Sequence, residues 1–237
     1  MELNYNFMVN TFWLLLKAIP VSLKITCIVL VLSAPFAFTL ALVMLKKVRY
    51  LKKLASVYVS MVRGVPMVIQ ILLFYSLLPS FLNYSFKRLG IGYNIFDLDT
   101  IWYAYAVFTF STVAVLSEVF RSALKSVARG QMEAGLAAGM DPLWIYVRII
   151  IPQALIVALP SICNAAVNLL KNTSLAFLMA VKDITAVGKI AASYGYNYVE
   201  AYIDVFFVYI IVCSLVQVAF KYSEKSLGRY RALRPNG

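Results

Sequence analysis

The sequence predicts an all-α membrane protein of five transmembrane helices, with the N-terminus outside and the C-terminus in the cytoplasm. Three observations predict it. Apolar residues make up 62% of the 237 residues and charged ones only 14%, whereas a soluble domain has roughly 45–50% apolar and roughly 25% charged residues. So little polar surface cannot cover a soluble globule, and the chain must meet lipid. The charged residues also leave five long gaps, and Lys and Arg crowd the loops on one side more than on the other.

A helix rises about 1.5 Å per residue, so about 20 apolar residues cross a hydrocarbon core about 30 Å thick. The gap between Lys24 and Lys46 gives the first span, 25–45, of 21 residues. The second, 64–86, has 23 residues between Arg63 and Lys87. The third, 100–117, has 18 between Asp99 and Glu118, and the fourth, 149–170, has 22 between Arg148 and Lys171. The fifth, 205–220, has 16 and reaches back to Ala201 if Asp204 faces protein or water. The apolar stretch 3–16 is too short for a span and is followed by Lys17 and Pro20; it reads as an interfacial helix leading into the first span. Segment 172–181 is uncharged but short. It reads as a re-entrant piece or a short buried helix, and periodicity does not decide between them. No basic start or small-residue cleavage site precedes the first apolar run, which argues against a cleaved signal peptide.

Orientation follows from Lys and Arg, which accumulate on cytoplasmic loops. Lys46, Lys47, Arg49, Lys52 and Lys53 follow the first span. Arg121, Lys125, Arg129 and Arg148 flank the loop after the third, and Lys221, Lys225, Arg229, Arg231 and Arg234 follow the fifth. On the other side Lys87 and Arg88 are balanced by Asp97 and Asp99. The net charge of +12 is therefore a topology signal with some attraction for anionic lipid, not a nucleic-acid surface.

The chain has no His, and Cys27, Cys163 and Cys213 are far apart, which speaks against a zinc site, a His-dependent triad and a disulfide framework. It has no phosphate-loop motif, and its ten carboxylates mostly flank spans. An enzyme is not expected, nor a cofactor within this chain. Transport against a gradient then needs an outside energy source. The voltage or ion route would show more buried charge than Glu118 and Asp204.

The loop from Arg121 to Arg148 carries the most information. Glu133, Ala134, Leu136, Ala137 and Ala138 favour helix. Gly139 is a helix stop, and Asp141-Pro142 is a restart with Asp as N-cap and Pro in the first turn. Two short helices at a bend, lying along the membrane surface, are expected. The bland alternative is an ordinary loop with an amphipathic segment. In the fourth span Ser161, Asn164, Asn168 and Lys171 follow at spacings of three, four and three, on one helix face. A polar stripe in lipid faces the bundle or a water-filled path, so it is a candidate solute path, joined by Gln70 and Glu118. Helix–helix hydrogen bonding is the alternative. Glu118 also has a local partner in Arg121 at i+3. Pro152 and Pro160 tend to kink the fourth span. Tyr194, Tyr196, Tyr198 and Tyr202 read as an interfacial belt or as contacts to a partner outside.

Several of these residues form an ordered set. Glu133-Ala134-Gly135, then Gly139, then Ile149-Ile150-Ile151-Pro152 resembles the EAA loop of ABC importer permease subunits, which reads E-A-A, three residues, G, nine residues, I-x-L-P. Gly135 stands for the second Ala and Ile151 for Leu; Gly135 weakens a helix by up to about 1 kcal/mol. Arg63-Gly64-Val65-Pro66 resembles R-G-x-P of the polar amino-acid subfamily. Ser117-Glu118-Val119-Phe120-Arg121 resembles its A-E-x-x-R, and Gly130-Gln131-Met132-Glu133-Ala134 its G-Q-x-E-A. Pro152-Gln153-Ala154 and Pro160 resemble P-Q-A and the downstream L-P, and Lys171-Asn172-Thr173-Ser174-Leu175 resembles K-D-T-S-L. Together these motifs cover about residues 60–190.

The resemblance implies that residues 1–237 form a single permease domain in a bacterial cytoplasmic membrane. It implies partners as well: ABC ATPase subunits that hold ATP and Mg, a second permease subunit of the same or a related chain, and an extracytoplasmic solute-binding protein. The cargo is a polar amino acid, or another small polar solute such as an opine or a sulfur compound. The loop between spans three and four becomes a coupling helix docked on the ATPase through Glu133, Ala134, Gly135, Ala138, Gly139, Ile149 and Pro152. The competing readings are an ion-gradient-driven secondary transporter and a non-transporting scaffold.

Overall fold

A computed structural model describes residues 3–45 and 48–232, with side chains described through Lys225. Lys46, Lys47 and Arg234, counted above for orientation, lie outside the described residues, as do the side chains of Arg229 and Arg231. Five stretches are long and apolar enough to cross a membrane: Tyr5–Leu45, Met67–Arg88, Thr100–Ser126, Pro142–Met179 and Tyr198–Lys225.

Helix α1 (Tyr5–Leu45) is one continuous helix through Pro20 and Pro35. The stretch 3–16 is therefore not a separate interfacial helix. Leu15 and Ala18 are buried in a cluster with Leu170, Ile184, Val208 and Val212, all from distant parts of the chain. Those contacts outweigh the cost of about 3 kcal/mol that an interior proline carries.

The second span is α3 (Met67–Arg88), and a charged helix, α2 (Arg49–Gly64), precedes it. They part at Val65, held extended at ψ 130 because the Pro66 ring excludes the helical conformation from the residue before it. Gln70 closes the gap: its Nε2 donates to the carbonyls of Val62 at 2.8 Å and Val65 at 2.9 Å. Helix α2 buries Ala55, Val59 and Val62, spaced four and three, in a cluster with Met44 and Ala114. Tyr58 Oη donates to the Phe110 carbonyl at 2.6 Å.

Helix α4 (Thr100–Ser126) is the centre of the bundle, N-capped by Asp99, whose Oδ1 accepts from Ile101 N–H at 3.0 Å. It runs parallel to α1. Ile25 and Val29 share a cluster with Tyr105 and Phe108, and Ala37 and Ala41 share one with Leu116 and Phe120. After the short helices α5 (Arg129–Ala137) and α6 (Pro142–Ile145), helix α7 (Ile151–Asn172) returns antiparallel. Ala154 and Ala158 meet Ala123 and Leu124, and Leu169 lies in the cluster that holds Phe108.

Of the two readings of 172–181, the short buried helix is the one found: a 3-10 helix, Thr173–Met179, with Thr173, Ala176 and Met179 buried, ending at Ala180 with φ 59. Helix α8 (Ile184–Ser193) begins at Asp183, whose carboxylate accepts from Ala186 N–H at 2.9 Å and Thr185 N–H at 3.0 Å. Tyr209 Oη also donates to it, at 3.3 Å. Helix α9 (Tyr198–Ala232) starts earlier than expected, and Asp204 is 4% exposed, facing protein as its place inside a span requires.

Candidate functional site

Two features stand out, a loop with an outward face and a pair of cavities along α4. In the loop, α5 stops at Gly139, whose φ of +74 only glycine adopts cheaply. Met140 N–H reaches the Gly135 carbonyl at 3.0 Å and Gly139 N–H reaches that of Leu136 at 2.9 Å, the paired bonds of a left-handed helix stop. Asp141 Oδ1 then accepts from Leu143 N–H at 2.8 Å, with Pro142 at the first position of α6. Stop and restart are where the sequence placed them.

Gly135 is buried against Ile145. A Cβ there would lie 2.8 Å from Ile145 Cγ1 and Cδ1, so α5 and α6 meet through the missing side chain. Ile145 sits in turn in a cluster with Ala123 and Leu124 of α4 and Ile150, Ala154 and Ala158 of α7. On the opposite side Glu133, Ala134, Ala137 and Ala138 are exposed, as are Leu143 and Trp144. The Arg148 guanidinium stacks on Trp144, 4.5 Å from the ring centroid. Sequence reasoning missed this pair, although the i, i+4 spacing was there to read. Ile149 is half-buried and Pro152 exposed. A π-helical turn, Tyr146–Ile150, precedes Pro152, with Ile151 N–H bonded to the Tyr146 carbonyl. The wide turn makes room for a proline that lacks a donor and crowds the carbonyl four residues back.

The stripe on α7 is one face. Ser161, Asn164, Asn168 and Lys171 are exposed, while Ala165, Ala166, Val167, Leu169 and Leu170 between them are buried. The stripe thus points away from its own bundle. Asn168 lines a cavity of about 100 Å³ with Met67, Ser111, Thr112, Val115 and Asn172. A second cavity, about 330 Å³, lies between α2 and α4 and is lined by Lys52, Ser56, Ser60, Arg63, Glu118, Arg121 and Lys125. Ser111, Val115, Glu118 and Lys125 are spaced four, three and seven, so both cavities lie along one face of α4.

Glu118 accepts from Arg121 Nε at 3.0 Å and from its terminal nitrogen. Gln70 lies apart from the cavities, turned inward onto the α2–α3 break with its amide oxygen buried and unpartnered. Ser161, Asn164 and Lys171 line neither cavity. The polar stripe Lys52, Ser56, Ser60 and Arg63 was missed, because charge disqualified α2 as a span; its spacing of four, four and three was the available signal.

The model of the family described as "Binding-protein-dependent transport system inner membrane component" matches residues 33–229. The probable amino-acid permease protein YxeN of Bacillus subtilis (strain 168) is 33% identical over 227 residues, 96% of this chain and 97% of that protein. The L-cystine transport system permease protein TcyL of the same organism is 31% identical over 209 residues, 86% of this chain and 85% of its own. Among solved structures, an amino acid ABC transporter with histidines superposes with a TM-score of 0.79 at 23% identity, covering 95% of this chain and 100% of that one.

Proposed function

Because the chain belongs to the family of binding-protein-dependent transport system inner membrane components, we propose that it is the membrane subunit of an ATP-driven importer for a polar amino acid. It is a multi-pass protein of the cell membrane. ATP and Mg belong to partner ATPase subunits, and a second permease chain and an extracytoplasmic binding protein complete the assembly. Residues 1–237 act as one permease domain, with the α5–α6 loop and the C-terminus on the ATPase side. The relatives named for amino acids and L-cystine support the cargo class.

The observation that carries this reading is the seat of the loop. Its outward face, with Glu133, Ala134 and Ala138, is free to dock, while its inner face is packed on both α4 and α7 through Ile145. Gly135 and Gly139 set its shape, and Ile149 and Pro152 join it to α7. A displacement of α5 therefore moves the two helices that line the cavities and carry Glu118 and the stripe Ser161, Asn164, Asn168 and Lys171. Gln70 serves this path by holding the α2–α3 break. Such rigid transmission between two arrangements is how packed elements couple distant sites.

The test is ATP-dependent import in proteoliposomes holding the chain, its ATPase and its binding protein. Glu133→Lys and Ala138→Trp alter only exposed positions. Each is expected to lower import at least about tenfold, the effect of losing about 1.4 kcal/mol of docking. Normal import by both variants sinks the coupling assignment.

A further inference from the structure

The cavity between α2 and α4 carries more positive charge than its own residues balance. Glu118 is engaged by Arg121, the one ion pair among the described residues. Lys52, Arg63 and Lys125 line the same cavity without a carboxylate partner among those residues. The hydroxyls of Ser56 and Ser60 line it as well. These residues stand on facing polar stripes of two helices. The back of α2 is apolar, with Leu54, Val57 and Met61 exposed toward whatever surrounds the bundle. A cleft with an excess of one sign of charge concentrates oppositely charged solutes. The smaller cavity that Asn168 lines lies along the same face of α4, with no lining residue in common.

We propose that this cavity is a carboxylate station on the solute's way through the protein, and that it favours solutes carrying a second carboxylate over those with a neutral or cationic side chain. The inference rests on the importer reading above. One carboxylate is held by Arg63 with the serine hydroxyls; the second is met by Lys52 at the start of α2 and Lys125 at the end of α4. Charge-assisted hydrogen bonds of this kind are about twice as strong as neutral ones. A cationic side chain in the same place faces unpaired ammonium groups.

The experiment is direct binding to the full chain in phosphatidylcholine nanodiscs, read by saturation-transfer NMR, with L-glutamate, L-glutamine and L-lysine as probes. L-Glutamate is expected to bind about tenfold more tightly than L-glutamine, the effect of one charge-assisted contact, and L-lysine most weakly. In the Lys52→Gln, Lys125→Gln double variant the glutamate preference disappears, while Lys52→Arg with Lys125→Arg retains it. Equal binding of glutamate and glutamine overturns the proposal, as does a preference that survives in the double glutamine variant. Loss of glutamate binding when phosphatidylglycerol replaces part of the lipid assigns the cavity to a lipid phosphate instead. Tighter binding of inorganic phosphate than of glutamate makes it a general anion hole, and also overturns the proposal. The assay contains no ATPase. If none of the three probes binds while wild-type import proceeds, the station falls and the importer reading stands; if import itself is absent, the importer reading falls.

Discussion

Gly135 and Gly139 lie four residues apart and are glycine for different reasons. At Gly139 the backbone is left-handed, at φ +74 with open space around it, so conformation is what constrains it. Gly139→Ala is expected to destabilise the loop by about 1–2 kcal/mol, the cost of a Cβ in that region, and thermal unfolding of the purified chain checks this. At Gly135 the backbone is ordinary helix and the constraint is space, because Ile145 is fully buried and 2.8 Å from where a Cβ would sit. Gly135→Ala is expected to cost about 1–3 kcal/mol by overpacking. Pairing it with Ile145→Val should recover part of that loss, since residues in contact do not add. A double-mutant cycle without coupling would show that the pair is not in contact. The sequence alone marked Gly135 as a departure from a pattern that has Ala; the reason lies ten residues on, in a side chain that folds back over it.

Elements with local causes were legible, and those with remote causes were not. The helix stop at Gly139 and the restart at Asp141-Pro142 depend on residues within one turn, and they stand as read. The α2–α3 break also has a local cause, Pro66, but α2 was not read as a helix because its lysines and arginines interrupt the apolar run that marks a span. The N-terminal third of α1 was misjudged because what fixes it, the contact of Leu15 with Ile184, Val208 and Val212, lies well over 150 residues away. The polar stripe on α7 was legible from spacing, and the charged cavity was not, since it needs two helices side by side. The contact that bridges the two elements at the α2–α3 break is open to test. Gln70→Leu removes the donor that serves the carbonyls of Val62 and Val65, and each buried orphan costs about 1–3 kcal/mol. Gln70→Leu should lower the unfolding temperature measurably, and unchanged stability would show that water serves those carbonyls instead.

Across the whole molecule the loop and the cavities are joined by α4 and α7. In the proposed importer, transmission through that route depends on the seat beneath α5 and α6, where Ala123, Ala154 and Ala158 are small enough for the helices to approach closely. Ala154 is 3% exposed, so a larger side chain there cannot turn outward and must separate the loop from one of the helices. Ala154→Leu leaves Glu133, Ala134 and Ala138 on the outer face untouched. The ATPase should therefore still bind, and ATP hydrolysis should continue. Overpacking of this kind costs about 1–3 kcal/mol, enough to shift the balance between two arrangements of the bundle about tenfold or more. The expected result is ATP hydrolysis close to wild type with import reduced about tenfold, measured in the same proteoliposomes. Parallel loss of both activities would place the defect in docking or folding, and import that keeps pace with hydrolysis would mean that the seat does not carry the motion. Only an uncoupled ratio fits a rigid connection that runs from the outward face of α5, through Ile145, into the helices along the path.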